Sequence, residues 1–322
     1  MTVSHQRLMA EATGTGFRPE ILEKVIHLLN LLENFRAHPF LKTRLALKGG
    51  TALNLFLFDV PRLSVDLDLN YIASADRAVM LDEKPKLEKA LTDVFAREGF
   101  AVSRQPAEHA GGKWRLSYPS VATTRGNLEV DVNFMLRIPL WTPIIQDSRS
   151  VGSYRATSIS VLDPHVLAAG RLVALLARHA SRDLFDAHQL LALQTLDHEK
   201  LRQGFILYGA MNRTDWRTVT IADIAFDSRE LREQLTPLLS ATAIGRIGTD
   251  DMWAVRLVEE CRKAMDLVLP FRSSELEFLE RINGDGEIRP ELLTTDPAMH
   301  EKISLHPQLL WKATNVRQHK AT

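Results

Sequence analysis

Residues 63–72, LSVDLDLNYI, alternate apolar and polar side chains with period two, the pattern of a strand with one face in a core. Because Val65, Leu67 and Leu69 take the core face, Asp66 and Asp68 project together from the other. A second run, residues 127–135 (NLEVDVNFM), repeats the alternation, with Glu129 and Asp131 on one face and Val130 and Val132 on the other. Any fold for this chain must therefore house two half-buried strands that each carry a pair of acids.

The flanking segments say where those strands belong. Residues 20–36 place Ile21, Val25, Leu28, Leu29 and Leu32 at helical spacing behind Pro19, which suits the first turn of a helix. Residues 44–48 form a short, mostly apolar run that ends at Gly49-Gly50-Thr51, and ALNLFLF continues from there as a helix. A charged helix centred on residues 85–97 precedes strand-like pieces at 100–104 and 113–118. From Pro164 the period becomes helical almost throughout, in 164–179, 182–194, 250–267 and 274–282. The change falls at residues 140–163, where Pro139, Pro143, Gly152 and Pro164 interrupt the pattern. An α/β portion over residues 1–160 and a helical portion over 161–322 are expected, with the polar tail after Trp311 frayed.

Charge narrows the function. With 40 Lys+Arg against 40 Asp+Glu in 322 residues, the surface as a whole does not attract nucleic acid, so such contact requires a local basic patch. The one cysteine, Cys261, offers neither an internal disulfide nor a zinc array. The first residues lack the apolar core of a secretory signal, and the longest apolar helical stretch, 166–177, is broken by Arg171 and falls short of the roughly 20 residues a membrane span needs. A soluble cytoplasmic protein with no membrane partner is expected.

Four groups of residues carry the chemistry. Gly49 and Gly50 before a helix allow close backbone approach to phosphate oxygens, with help from the Thr51 hydroxyl; the plainer reading is a Gly-Gly turn with Thr51 as N-cap. Asp66 and Asp68, like charges side by side, are favoured when a divalent cation sits between them, and Mg²⁺ takes one or two carboxylates plus phosphate oxygens and water. A third carboxylate would complete a two-metal site and receive a proton, Asp131 first and Glu129 as substitute, unless these acids only dress a solvated strand face. Last, Arg171 and Arg178 share a helix face seven residues apart, with Arg182, Asp183 and Asp186 following. An arginine inside so apolar a run needs a partner, either a bound phosphate or a carboxylate clasp between helices.

Taken in order, KGGTAL, RLSVDLD, a later carboxylate strand and a basic helix followed by RDLFD resemble the AbiEii/AbiGii toxin family of nucleotidyltransferases, a branch of the DNA polymerase β-like superfamily; the likeness runs over about residues 40–195. The resemblance implies an α+β fold, a polymerase β-like domain with a mixed sheet flanked by helices, followed by a helical domain that completes the active site. It implies nucleotidyl transfer from an NTP to an RNA, foremost the tRNA 3′ end, or to a protein hydroxyl, using two Mg²⁺ ions on Asp66, Asp68 and Asp131. By the same likeness Lys48, Gly49, Gly50, Thr51, Arg62 and Ser64 would hold the nucleotide with Arg171, Arg178 and Arg182, while Arg171 and Asp186 serve the reaction. The family usually carries a lysine where Arg171 stands and a glutamate where Asp131 stands, and a planar guanidinium is not a point charge. A cognate antitoxin, often a transcriptional regulator, would be the partner.

Two other functions compete. Arg182 and His188 have the Arg-x5-His spacing of HEPN-type metal-independent ribonucleases, although six residues on one helix put them on different faces. A transferase-shaped binding protein without catalysis is the other, motivated by Arg171 and Asp131. Trp216, Trp253 and Trp311 read as core or interface anchors, and Arg104, Lys113, Arg115 and Arg125 as either a basic rim for RNA or a solvated strand face.

Overall fold

Both alternating runs become neighbouring strands of one mixed sheet. The computed structural model describes residues 3–104, 111–247 and 251–320. Its strands are β1 (Leu45–Lys48), β2 (Asp66–Tyr71), β3 (Ala101–Arg104), β4 (Gly111–Pro119), β5 (Arg125–Asn133), β6 (Ile144–Gln146) and β7 (Ile159–Val161), in the spatial order β3-β4-β5-β2-β1-β7-β6. β2 lies parallel to β5 and antiparallel to β1, and β4 is antiparallel to β5. Helices α1 (His5–Thr15), α2 (Pro19–Ala37), α3 (Gly49–Ala52) and α4 (Arg77–Arg97) intersperse with these strands, and α3 runs on through one π-type turn to Leu57. The architecture is α+β.

Two compact units emerge. The first gathers Met1–Arg137, Pro143–Leu162 and Arg232–Thr249; the second gathers Ile138–Thr142, Asp163–Leu231 and Asp250–Thr322. In the first, the apolar face of the sheet supplies Leu67, Leu69, Val130, Val132 and Trp114, all essentially inaccessible to solvent. Trp114 meets Phe95 of α4 with ring centroids 6.2 Å apart, and Phe95 meets Phe35 of α2 at 6.1 Å, both edge to face. Strand parity then leaves Lys113, Arg115, Asp66, Asp68, Glu129 and Asp131 on the opposite face.

Several expectations change here. Residues 140–163 hold two strands of three residues each, too short to display an alternation; β7 joins β1 at Leu47–Val161, and Leu162 N–H donates to the Leu47 carbonyl at 3.0 Å. The N-terminal stretch is helical, started by the Ser4 side chain accepting from Arg7 N–H and stopped at Gly16 in the left-handed conformation. Residues 232–249 return to the first unit: Leu63 N–H donates to the Leu238 carbonyl (2.9 Å) and Ala241 N–H to that of Gly16 (2.8 Å). Nor does the tail fray between Trp311 and Lys320. Helix Pro307–Lys320 is tied by Lys312 to the Asn212 carbonyl (2.8 Å), Arg317 to the Gly286 carbonyl (2.7 Å) and Lys320 to Asp285 (2.7 Å).

The second unit is helical, with α5 (Pro164–Arg178), α6 (Ser181–Leu191) and α7 (His198–Ala210) at its start. α7 carries Arg202, buried and paired with Glu275 through two bonds of 2.5 and 2.7 Å. Trp216 and Trp253 are core residues, whereas Trp311 is 47% exposed. Among the described residues no helix is long and apolar enough to cross a membrane.

His27 of α2 lies against Tyr118 (4.1 Å) and Phe100 (5.4 Å), and burial pushes its pKa down to about 4. The unfolded chain takes up this proton near pH 6.5 while the folded chain resists until about 4, so the contribution is intact above 6.5 and declines as pH falls between those values. We expect His27→Asn to flatten the loss of stability between pH 6.5 and 5 relative to wild type, an effect of roughly 1–2 kcal/mol read from urea midpoints. Parallel slopes in the two proteins would show that His27 titrates normally.

Candidate active site

Strand register assembles the site from residues distant in sequence. β1 sets Lys48 opposite Asp68, β5 sets Asp131 beside Asp68, and β4 sets Lys113 opposite Asp131. One line across four strands thus reads Lys48, Asp68, Asp131, Lys113. The next line reads Asp66, Glu129, Arg115. With strands about 4.8 Å apart, two facing carboxylates repel by roughly 3 kcal/mol at an effective dielectric near 20. The Asp131 carboxyl is accordingly pushed above its usual range, first by burial and further by Asp68 and Glu129, while Lys48 and Lys113 pull the other way.

The two acids of β5 differ in what they hold. Glu129 is engaged by Lys113 Nζ at 2.7 Å and by Arg115 Nη2 at 2.8 Å, which keep its carboxyl below the usual carboxylate range. Among the described residues none forms such an ion pair with Asp131 within 4 Å, and its electrostatic neighbours are Lys48, Asp68, Lys113 and Glu129. Hard oxygen donors of this kind suit Mg²⁺. Among the described residues no group of three or more His, Cys, Asp or Glu side chains converges closely enough to hold an ion unaided. The arrangement fits a cation that takes two carboxylates and fills its shell with phosphate oxygens and water.

The glycine turn is packed onto the same carboxylates. Gly49 has φ +74°, a conformation that side chains disfavour, and a Cβ there would come within 3.0 Å of the Asp68 Cβ and closer still to its carboxylate. Backbone, with no side chain between, therefore meets Asp68. Lys48 is the N-cap of α3, so Thr51 sits inside the helix and is not its cap. The Thr51 hydroxyl is fully buried and donates to the Asp66 carbonyl at 2.5 Å, tying the turn to β2. Gly50 and Ser64 are buried, as is Arg62, whose Nη1 donates to the Leu63 carbonyl (2.9 Å) and whose backbone pairs with Leu239.

The remaining site candidates belong to the second unit. Arg171 forms ion pairs with Asp183 and, at 3.3 Å, with Asp186; Arg178 pairs with Asp183 at 2.8 Å. Asp183 and Asp186 are buried, so the clasp between α5 and α6 is present, with Asp183 as its hub. Arg182 is half-buried. His188 contacts Glu260 at 2.5 Å. The Arg104 side chain lies outside the described residues. What the sequence reading undervalued is the Lys113–Glu129–Arg115 cluster, although KWR inside an alternating run already puts both cations on one face with Trp114 on the other.

The family described as "Nucleotidyl transferase AbiEii toxin, Type IV TA system" matches residues 30–258. Among solved structures the chain is similar to MenT4, a nucleotidyltransferase toxin from Mycobacterium tuberculosis H37Rv, with a TM-score of 0.64 and 15% identity, over 96% of this chain and 99% of that one. At that identity the likeness concerns the fold. Comparison with curated protein sequences finds no match.

Gly49→Ala should cost about 1–3 kcal/mol, from the strained φ and from the contact with Asp68. Part of that loss should return in the Gly49→Ala/Asp68→Ala double variant, where the opposing carboxylate is gone. Additive losses in a thermal-melt double-mutant cycle would mean that the turn does not press on Asp68.

Proposed function

The chain belongs to the AbiEii family of nucleotidyltransferase toxins from type IV toxin–antitoxin systems, and from that premise we propose that it transfers an NMP from an NTP to an RNA acceptor, foremost the 3′ end of tRNA, in the cytoplasm. The observation that carries this reading is the registered Asp68–Asp131 pair with the Gly49 turn packed against it. Asp66, Asp68 and Asp131 are the carboxylates that would hold Mg²⁺. When bound, the ions would neutralise the triphosphate and favour ionisation of the acceptor hydroxyl.

The rest is done by the chain's own groups. The backbone of the Gly49-Gly50-Thr51 turn, with Lys48 beside it, receives the triphosphate, because no side chain stands between that turn and Asp68. Thr51 holds the turn to β2 through the Asp66 carbonyl. Arg62 and Ser64, both buried, set the entry of the chain into β2. Asp131 takes the proton of the acceptor hydroxyl as its oxygen attacks the α-phosphate and pyrophosphate leaves. Within the helical unit, Asp183 and Asp186 hold the Arg171 guanidinium in place, and Arg178 shares Asp183 with it. The antitoxin that accompanies such toxins would be a transcriptional regulator.

Purified protein incubated with total RNA, Mg²⁺ and each α-labelled NTP in turn is expected to label RNA with one or more of the four nucleotides. EDTA should stop the labelling, and Asp66→Ala and Asp68→Ala should each lower it by about a thousandfold or more. Labelling that survives in either variant would reject the site, and RNA cleavage in EDTA would point to a nuclease instead.

A further inference from the structure

We infer that Lys113 and Arg115 form the site that takes a phosphate of the acceptor strand, and that Glu129 is their resting partner, displaced by that phosphate, and not a metal ligand. The inference rests on the transferase reading above and adds a place for the second substrate.

Three observations carry it. The cations occupy the carboxylate face, Lys113 in register with Asp131 and Arg115 in register with Glu129, one strand beyond the acids that would hold metal. The Gly49 turn lies on the far side of Asp68, after β1, so the triphosphate and the acceptor would reach the carboxylates from opposite edges. Second, Glu129 divides its oxygens: Oε2 accepts from Lys113 Nζ at 2.7 Å, and Oε1 accepts from Arg115 Nη2 at 2.8 Å and Nε at 3.2 Å. To ligate a metal it would have to abandon both partners. Third, the two cations are 44% and 54% exposed, against 26% for the Glu129 that links them, so their outer sides remain open to solvent.

Charge decides what such a cluster binds. Two cations and one anion leave a net positive charge beside a row of acids, and exposed ion pairs of this type are weak enough to exchange. A phosphate oxygen can take over the donors, with the Arg115 fork and the Lys113 ammonium converging on it as they now converge on Glu129. Lys113 also feels Asp66 and Asp131. Its bond to Glu129 Oε2 holds this ammonium against β5.

The test uses the full chain without NTP and a short 5′-fluorescein-labelled single-stranded RNA, with binding followed by anisotropy over a salt series. Lys113→Met and Arg115→Met should each reduce the slope of log K against log salt by about 0.7 to 1. Arg115→Lys should retain most of that slope. Glu129→Gln should tighten RNA binding by about two- to fivefold in the wild-type background and change nothing in the Lys113→Met/Arg115→Met background. That disappearance separates a local clamp from a general change in surface charge. Unchanged slopes, a Glu129→Gln effect that persists without the cations, or a rise in KM for NTP at constant RNA affinity would each overturn the proposal. So would loss of Mn²⁺ binding in Glu129→Gln as large as that in Asp68→Ala, measured by calorimetry. Failure of the transferase reading shows itself separately, as wild-type protein that labels no RNA with any NTP.

Discussion

The centre of the first unit is held in an electrostatically unfavourable state by its hydrogen-bonded backbone. β2 and β5 run parallel with Asp68 beside Asp131 and Asp66 beside Glu129, so the ladder that closes the sheet also presses acids together. The apolar undersides of the same strands, Leu67, Leu69, Val130 and Val132, lock the register, since a slip by one residue would send those side chains outward and the acids into the core. Hydrophobic burial thus offsets the repulsion between the paired acids. Lys48 and Lys113 at the two ends of the row relieve part of it and leave the middle acidic.

Much of this is legible in the sequence alone. Alternation located β2 and β5 to within a few residues and assigned every acid to its face, because period-two burial is a local property of the chain. Pairing was not legible. Nothing in LSVDLDLNYI or NLEVDVNFM says that the two strands are neighbours, or that Lys113 and Arg115 would capture Glu129 and leave Asp131 beside Asp68. The Gly-Gly turn reads as backbone available for close approach, but the direct packing of Gly49 against Asp68 depends on β1 being paired with β2. Short strands such as β6 and β7 lack the length over which a period can be seen.

The helical unit shows how a sequence-level ambiguity resolves. An arginine in the apolar helix α5 required an anion, and Asp183 with Asp186 meets that need inside the unit. A buried pair of this kind contributes little net stability, since desolvation consumes most of the attraction, but removing one member is severe. Its effect is to fix the guanidinium in one orientation. Arg202 with Glu275 repeats the device elsewhere in the same unit, where both groups are buried.

Residues 232–249 bring one further consequence. The hydrogen bonds from Leu63 to Leu238 and from Ala241 to Gly16 stitch a late piece of the chain to the approach of β2 and to the end of α1. β1 to β7 all precede that piece in the chain, so during synthesis the acidic row is made before the segment that completes the first unit.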